Sequence, residues 1–413
     1  MKKTLSAQVA VGALALALLS GCASTPAAST TDTAAASGAT ETDSPQARLA
    51  ITYDGGVQVL DAATLQVLAD IELDEPARIS SAGDGRHVAL SAEAGIGMLD
   101  TGAWTDAHGD HGHSYTADPR LTDIAFEMST PGHVVPHGEK TALFSDGDGT
   151  VTIFDSHELA EGQPEVETVE LRAPHHGVAV LLEDGTLVVT DGDDEERRSI
   201  VALDDSREEF RRTDECPDVH GEATAADERV VFGCSGGVVV WMGDDFATVP
   251  APDAEASIGT ARGSDESSVV LTNYAVEGSP EDADGPRRIA LVDTSLADGS
   301  EAAMSVVTLP AGYASSTLAR GPEGEGLVLG TDGVLRVLSE ESGSITGELP
   351  LIDQWEVPED YRSPRPTVTV LDDVAWITDP ATSTVHVVDL DDLEVVTEAE
   401  LDIVPNQLIA VTG

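Results

Sequence analysis

Three histidine-bearing phrases recur along the middle of the chain at almost constant spacing, and no other feature limits the fold so sharply. They read Pro-Gly-His-Val-Val-Pro-His-Gly (131–138), Pro-His-His-Gly (174–177) and Cys-Pro-Asp-Val-His-Gly-Glu (216–222). His133 and His176 lie 43 positions apart, and His176 and His220 lie 44 apart. Each phrase leads through a turn into a β-rich run: Thr-Ala-Leu-Phe-Ser (141–145), Thr-Leu-Val-Val-Thr (186–190) and Arg-Val-Val-Phe-Gly-Cys (229–234). A period in the low forties with about four short strands per unit is that of a β-propeller blade.

The remainder of the chain agrees with this period. Short β-branched runs alternate with Asp-Gly, Gly-Asp and Asp-Asp turns, and helical periodicity is almost absent. Inner strands are expected to start near Ala77, Gly132, Pro174, Val219, Ser257, Ser315 and Arg365. The run from Leu49 has no inner strand before it, and the run from Gln407 has no strands after it. Joining the two ends makes one more blade and leaves no open sheet edge. The expectation is an all-β β-propeller over 47–413 with eight blades, seven being compatible, its ring closed by N- and C-terminal strands.

Equivalent positions of neighbouring blades converge at the mouth of a propeller's channel. His133, His176 and His220 would then form a nitrogen site suited to Zn²⁺. His175 replaces His176 if the strand register shifts by one. Strand alternation places Asp218, His220 and Glu222 on one face, so that either carboxylate can serve as a fourth ligand or hold an imidazole tautomer. A second cluster, His108, His111 and His113, falls within a 106–115 insertion that contains Gly109, Asp110 and Gly112. The glycines favour neither strand nor helix, so this stretch is expected to be a loop whose histidines wrap an ion without being preorganised. His137 is expected in a turn, and His87, His157 and His386 carry no assigned role.

Residues 1–21 combine Lys2 and Lys3 with an apolar run from Val9 to Leu19, the pattern of a signal peptide. Leu19-Ser-Gly-Cys22 resembles the lipobox of bacterial lipoproteins, which implies lipid attachment at Cys22 and a chain anchored outside the cytoplasm. The Ala/Ser/Thr-rich stretch 22–46 is expected to be a disordered tether. With 76 acidic and 21 basic residues the chain carries a net charge of −55, which argues against nucleic acid as a partner and against direct contact with anionic membrane. Cys216 and Cys234 are the remaining cysteines; a disulfide is the default in an oxidising compartment, and a thiolate metal site using both is the alternative.

The phrases Gly-His-Val-Val-Pro-His, Pro-His-His-Gly-Val-Ala-Val and Cys-Pro-Asp-Val-His-Gly-Glu-Ala, with Phe-Gly-Cys at 232–234 and the His-rich stretch ahead of them, resemble the AztD family of zinc metallochaperones. The resemblance implies an extracytoplasmic propeller that hands Zn²⁺ to the solute-binding protein of a zinc ABC transporter, an AztC-like partner. By matching positions it implies channel ligands at His133, His176 and His220, a flexible motif at His108, His111 and His113, and a Cys216–Cys234 disulfide. No catalytic residues are implied. The expected mechanism is a relay in which the mobile histidines exchange ligands with the channel. Two other readings fit a three-histidine propeller: a lactonase-like zinc hydrolase with Glu222 as base, and a non-catalytic interaction scaffold.

Overall fold

The structure, a computed structural model, describes residues 38–109, 111–193, 195–276, 285–297, 299 and 301–413. The expected signal peptide, Cys22 and residues 22–37 of the expected tether lie outside these. Among the described residues the helices are short 3₁₀ turns, and the rest of the regular structure is strand.

Eight sheets, each following a four-stranded antiparallel path, succeed one another along the chain. Their inner strands include Arg78–Ser81, Pro131–His137, Ala179–Leu181 and His220–Ala225, close to the starts expected from the repeat. The closing sheet takes its inner strand, Leu408–Val411, from the end of the chain and pairs it with Arg48–Tyr53. Neighbouring inner strands touch around the ring, Leu408–Val411 against Arg78–Ser81 and that strand against Pro131–His137. The result is an all-β propeller.

Burial explains the composition of each strand position. A middle strand such as Gly56–Asp61 is sandwiched between adjoining sheets and is buried on both faces, so it reads as an apolar run. The outermost strand of the same sheet, Val67–Glu72, alternates exposed and half-buried residues. Apolar clusters span neighbouring sheets: Val238 and Val249 of one pack with Val270, Tyr274 and Ala290 of the next. Each fully buried side chain of this size contributes roughly 1.5–3 kcal/mol.

Two expectations change. Thr40–Thr42 is a strand, pairing with residues 114–116, so ordered structure begins before residue 47. The 106–115 stretch is a β-hairpin, Ala103–His108 paired with His111–Thr116. Its flanks override the glycines: Trp104 stacks on Tyr115 at 5.5 Å, and Thr105 and Ser114 share a hydrogen bond of 3.0 Å.

Strand direction fixes which end of the ring each feature occupies. Arg78, at the start of its inner strand, donates to the carbonyls of Pro131 and Gly132 at the start of the next, so both strands begin at one face. The hairpin follows Asp100, at the other end of these strands. There Thr105 donates to the carbonyl of Gly413, and Gly413 donates to that of Gly85.

Candidate metal centre

Three successive sheets deliver one histidine each to the channel mouth. His133 is the third residue of Pro131–His137, His176 stands in the turn before Ala179–Leu181, and His220 opens His220–Ala225. Ring centroids lie 5.4 Å apart for His133 and His176, 5.7 Å for His133 and His220, and 5.0 Å for His176 and His220. One ligand nitrogen from each lies within 4.8 Å of the others. Tetrahedral zinc spaces its nitrogens roughly 3.3 Å apart, so small side-chain movements close the site around an ion.

The orientation of the rings is set from behind. His176 Nδ1 donates to Asp146 Oδ2 at 2.7 Å, and His220 Nδ1 donates to the Gly259 carbonyl at 2.7 Å. His133 Nδ1 faces the Glu222 carboxylate, 3.0 Å from Oε2 and 3.4 Å from Oε1, with hydrogen-bond geometry toward Oε1. All three partners accept only, so each Nδ1 carries the proton and each Nε2 presents a lone pair. Imidazoles that ligate metals are held in this way.

Charge is graded across the site. Burial works against a proton on His133, but Glu222, with Asp146 adding to it, outweighs burial and raises its pKa above the usual histidine value. His220 moves the other way: burial lowers its pKa, and the neighbouring His133 and His176 add to the effect against the Gly259 carbonyl. Arg262 spends its donors on the carbonyls of Ala261, Ser315 and Leu318, so it pins backbone at the mouth.

The alternative ligands are placed elsewhere. His175 is buried with Nδ1 on the Ala173 carbonyl at 2.9 Å, Nε2 3.2 Å from Thr190, and its ring edge-on to Phe144. Both nitrogens are occupied, so it is a packing residue and not a substitute for His176. Asp218 turns away, at φ 53°, and accepts from Ser235 Oγ at 3.0 Å. Simple alternation fails because pairing shifts between His220 and Glu222. Gly221 sits there at φ 73°, where a Cβ would meet the Gly259 carbonyl at 2.3 Å. Glu222 nevertheless reaches the site, across to His133.

Asp146 and Gly259 were not foreseen. Asp146 lies in one of many Asp-Gly turns, and Gly259 acts through a carbonyl that any residue possesses; neither leaves a distinctive mark in the sequence. Outside the site, His137 ends its strand instead of standing in a turn and pairs with Glu228 at 3.0 Å.

The other histidine cluster is not brought to the channel. His113 Nδ1 lies 2.7 Å from Glu41 Oε1, and the rings of His111 and His113 meet edge to face at 5.2 Å. The hairpin that carries them, with His108, occupies the face opposite the triad. Six-residue strands separate the faces, about 20 Å at roughly 3.3 Å per residue. Direct ligand exchange between the clusters of one molecule does not fit this geometry.

Cys216 and Cys234 form a disulfide, both buried, so the thiolate alternative falls away. The bond holds the segment leading to His220 against the strand Arg229–Cys234.

No protein-family model matches the chain. It is 26% identical over 368 residues to the zinc chaperone AztD of Citrobacter koseri, across 86% of this chain and 84% of that protein. Two solved structures of Citrobacter koseri AztD superpose on it. The apo form has a TM-score of 0.74 at 23% identity, and the other has 0.76 at 24%; each comparison covers 89% of this chain and 98% of that one. In sequence over most of its length, and in fold over nearly all of the propeller, this chain is similar to the zinc chaperone AztD.

Proposed function

We propose that this protein is an extracytoplasmic zinc metallochaperone that carries Zn²⁺ on His133, His176 and His220 and delivers it to the solute-binding protein of a zinc ABC transporter, an AztC-like partner. The observation that carries the reading is the engagement of all three Nδ1 atoms, which leaves Nε2 of each ring as the ligand atom in a cluster whose nitrogens lie within 4.8 Å of one another. Three neutral ligands leave a fourth position, through which an acceptor's ligand enters before the histidines release the ion. Net delivery follows from tighter binding by the acceptor.

His108, His111 and His113 serve as a second, more exposed zinc station on the opposite face. Lipidation at Cys22 holds the chain at the outer side of the cell membrane. A carrier fits the site better than a hydrolase, because the two carboxylates beside the triad, Glu222 and Asp146, are committed to His133 and His176.

The test is a transfer assay. The mature domain loaded with one zinc is mixed with the solute-binding protein of the same organism's zinc transporter and an excess of a competing chelator. Direct delivery predicts that the acceptor fills faster than the chelator strips the metal from the chaperone alone. Filling no faster than that release means the ion travels free, and the carrier reading fails.

A further inference from the structure

The first full sheet contains a cleft of about 1000 Å³ that the metal site does not use. Its outer strand, Arg120–Glu127, pairs Leu121 with Leu99 and Ala125 with Gly97, so three residues oppose Met98 alone and the strand lifts away. Leu90, Ile96, Met98 and Phe126 form its base but are buried in the core, and the apolar surface it offers comes from Leu121, 44% exposed, and the exposed Ala125 beside them. Gly97 leaves the floor flat: a Cβ there would meet nothing within 4 Å.

The rim is acidic. Glu75, Glu93, Asp123 and Glu127 surround the opening, and among the described residues no lysine, arginine or histidine lines the cleft. An occupant must therefore bring positive charge to meet the rim and an apolar side chain to cover Leu121, since an acidic segment would face repulsion.

The cleft opens on the same face as the metal centre. The Gly95 hairpin turn and the Ser129 loop that line it lie at the face where the inner strands begin, the face of the histidine triad. Asp148, also lining the cleft, accepts from the Ser129 backbone and from Ser145 Oγ, both at 2.7 Å. Two residues before it, Asp146 holds His176. One short turn thus borders the cleft on one side and supports a ligand on the other.

We infer that this cleft is the docking site of the protein that receives the metal, and that it takes an apolar segment of that partner flanked by lysine or arginine. The inference rests on the carrier function proposed above. It places the acceptor beside the triad and leaves the hairpin face free.

Two variants test it by different means. Gly97→Phe fills the cleft, and Glu93→Lys with Glu127→Lys reverses its rim. The probe is the solute-binding protein of the same organism's zinc transporter, with binding and zinc transfer measured at low and high salt. The expected result is that both variants keep one zinc with the parent's affinity while partner affinity and transfer rate fall about tenfold or more, the effect of charge reversal shrinking as salt rises. Transfer at the parent's rate by both variants overturns the docking site and leaves the carrier function standing. If Gly97→Phe does not fold, the rim variant decides alone. A parent that passes no zinc to this protein sinks the carrier function and the docking site together, an outcome read without any variant.

Discussion

The two histidine clusters are built on opposite principles. The hairpin histidines are neighbours in sequence, on one exposed ribbon, with His113 held by a carboxylate from a separate strand. The triad histidines are 43 and 44 residues apart and meet only because three sheets pack around a channel. Proximity in sequence gives the hairpin its histidines without fixing their directions. Proximity in the fold gives the triad fixed directions, because each ring is held through Nδ1 by a group from another part of the chain. In the carrier function proposed above, the difference separates a site for collecting an ion from one for keeping it.

The sharpest way to break this contrast is to remove each cluster in turn. His133→Ala, His176→Ala and His220→Ala together should abolish the tight zinc, a loss above about a thousandfold in affinity given the folding-scale energies of such sites. The corresponding triple change at 108, 111 and 113 should leave it in place. Bound metal measured after mild chelation distinguishes them; equal retention by both variants would erase the distinction.

Support from behind predicts a smaller graded effect. Asp146→Asn and Glu222→Gln keep the shape but remove a charged acceptor, and each should weaken zinc about 10- to 100-fold. The disulfide is a matter of stability more than affinity. Replacing Cys216 and Cys234 by alanine opens an 18-residue loop and should cost about 3 kcal/mol in denaturant unfolding.

Acidity tests the same contrast. Zinc needs neutral imidazole, and His133 has a raised pKa, so proton competition should begin above the ordinary histidine value near about 6.5 and deepen as pH falls. In the metal-free protein the sign reverses. The protonated His133–Glu222 pair stabilises the fold below the unfolded pKa, and that contribution disappears as pH rises through the raised value. His220, its pKa lowered by burial, contributes with the opposite sign, so the His133 contribution is read as the difference in calorimetric pH slope between the metal-free parent and Glu222→Gln. The smallest effect belongs to the hairpin: His113 and Glu41 are 40% and 60% exposed, so Glu41→Gln should change stability by less than about 1 kcal/mol.

The propeller and the triad were legible in the sequence because a repeat makes equivalent positions recognisable without contact information. His133, His176 and His220 carried that signal; Asp146 did not, since acidic turns occur throughout a chain with 76 aspartates and glutamates. Asp218 escapes the alternation because the strand begins only at His220 and Asp218 stands in the turn before it, at φ 53°. The glycines of the 106–115 stretch conceal its hairpin because the decisive pair joins Trp104, before the stretch, to Tyr115, its last residue. Thr40–Thr42 does not stand out from the Ala/Ser/Thr-rich stretch because three residues are too few to show a period.

The pairing of Arg48–Tyr53 with Leu408–Val411 also sets an order of events during synthesis. The strand that completes the ring is made last, roughly 190 residues after Glu222. The segments that form the histidine-bearing sheets therefore precede the seam strand along the chain. Joining the seam depends on a contact between the two ends of the domain, which is slow to form. Until it does, Arg48–Tyr53 presents a bare edge to any other nascent chain. The seam, more than the metal centre, is where a newly made molecule is exposed to mispairing.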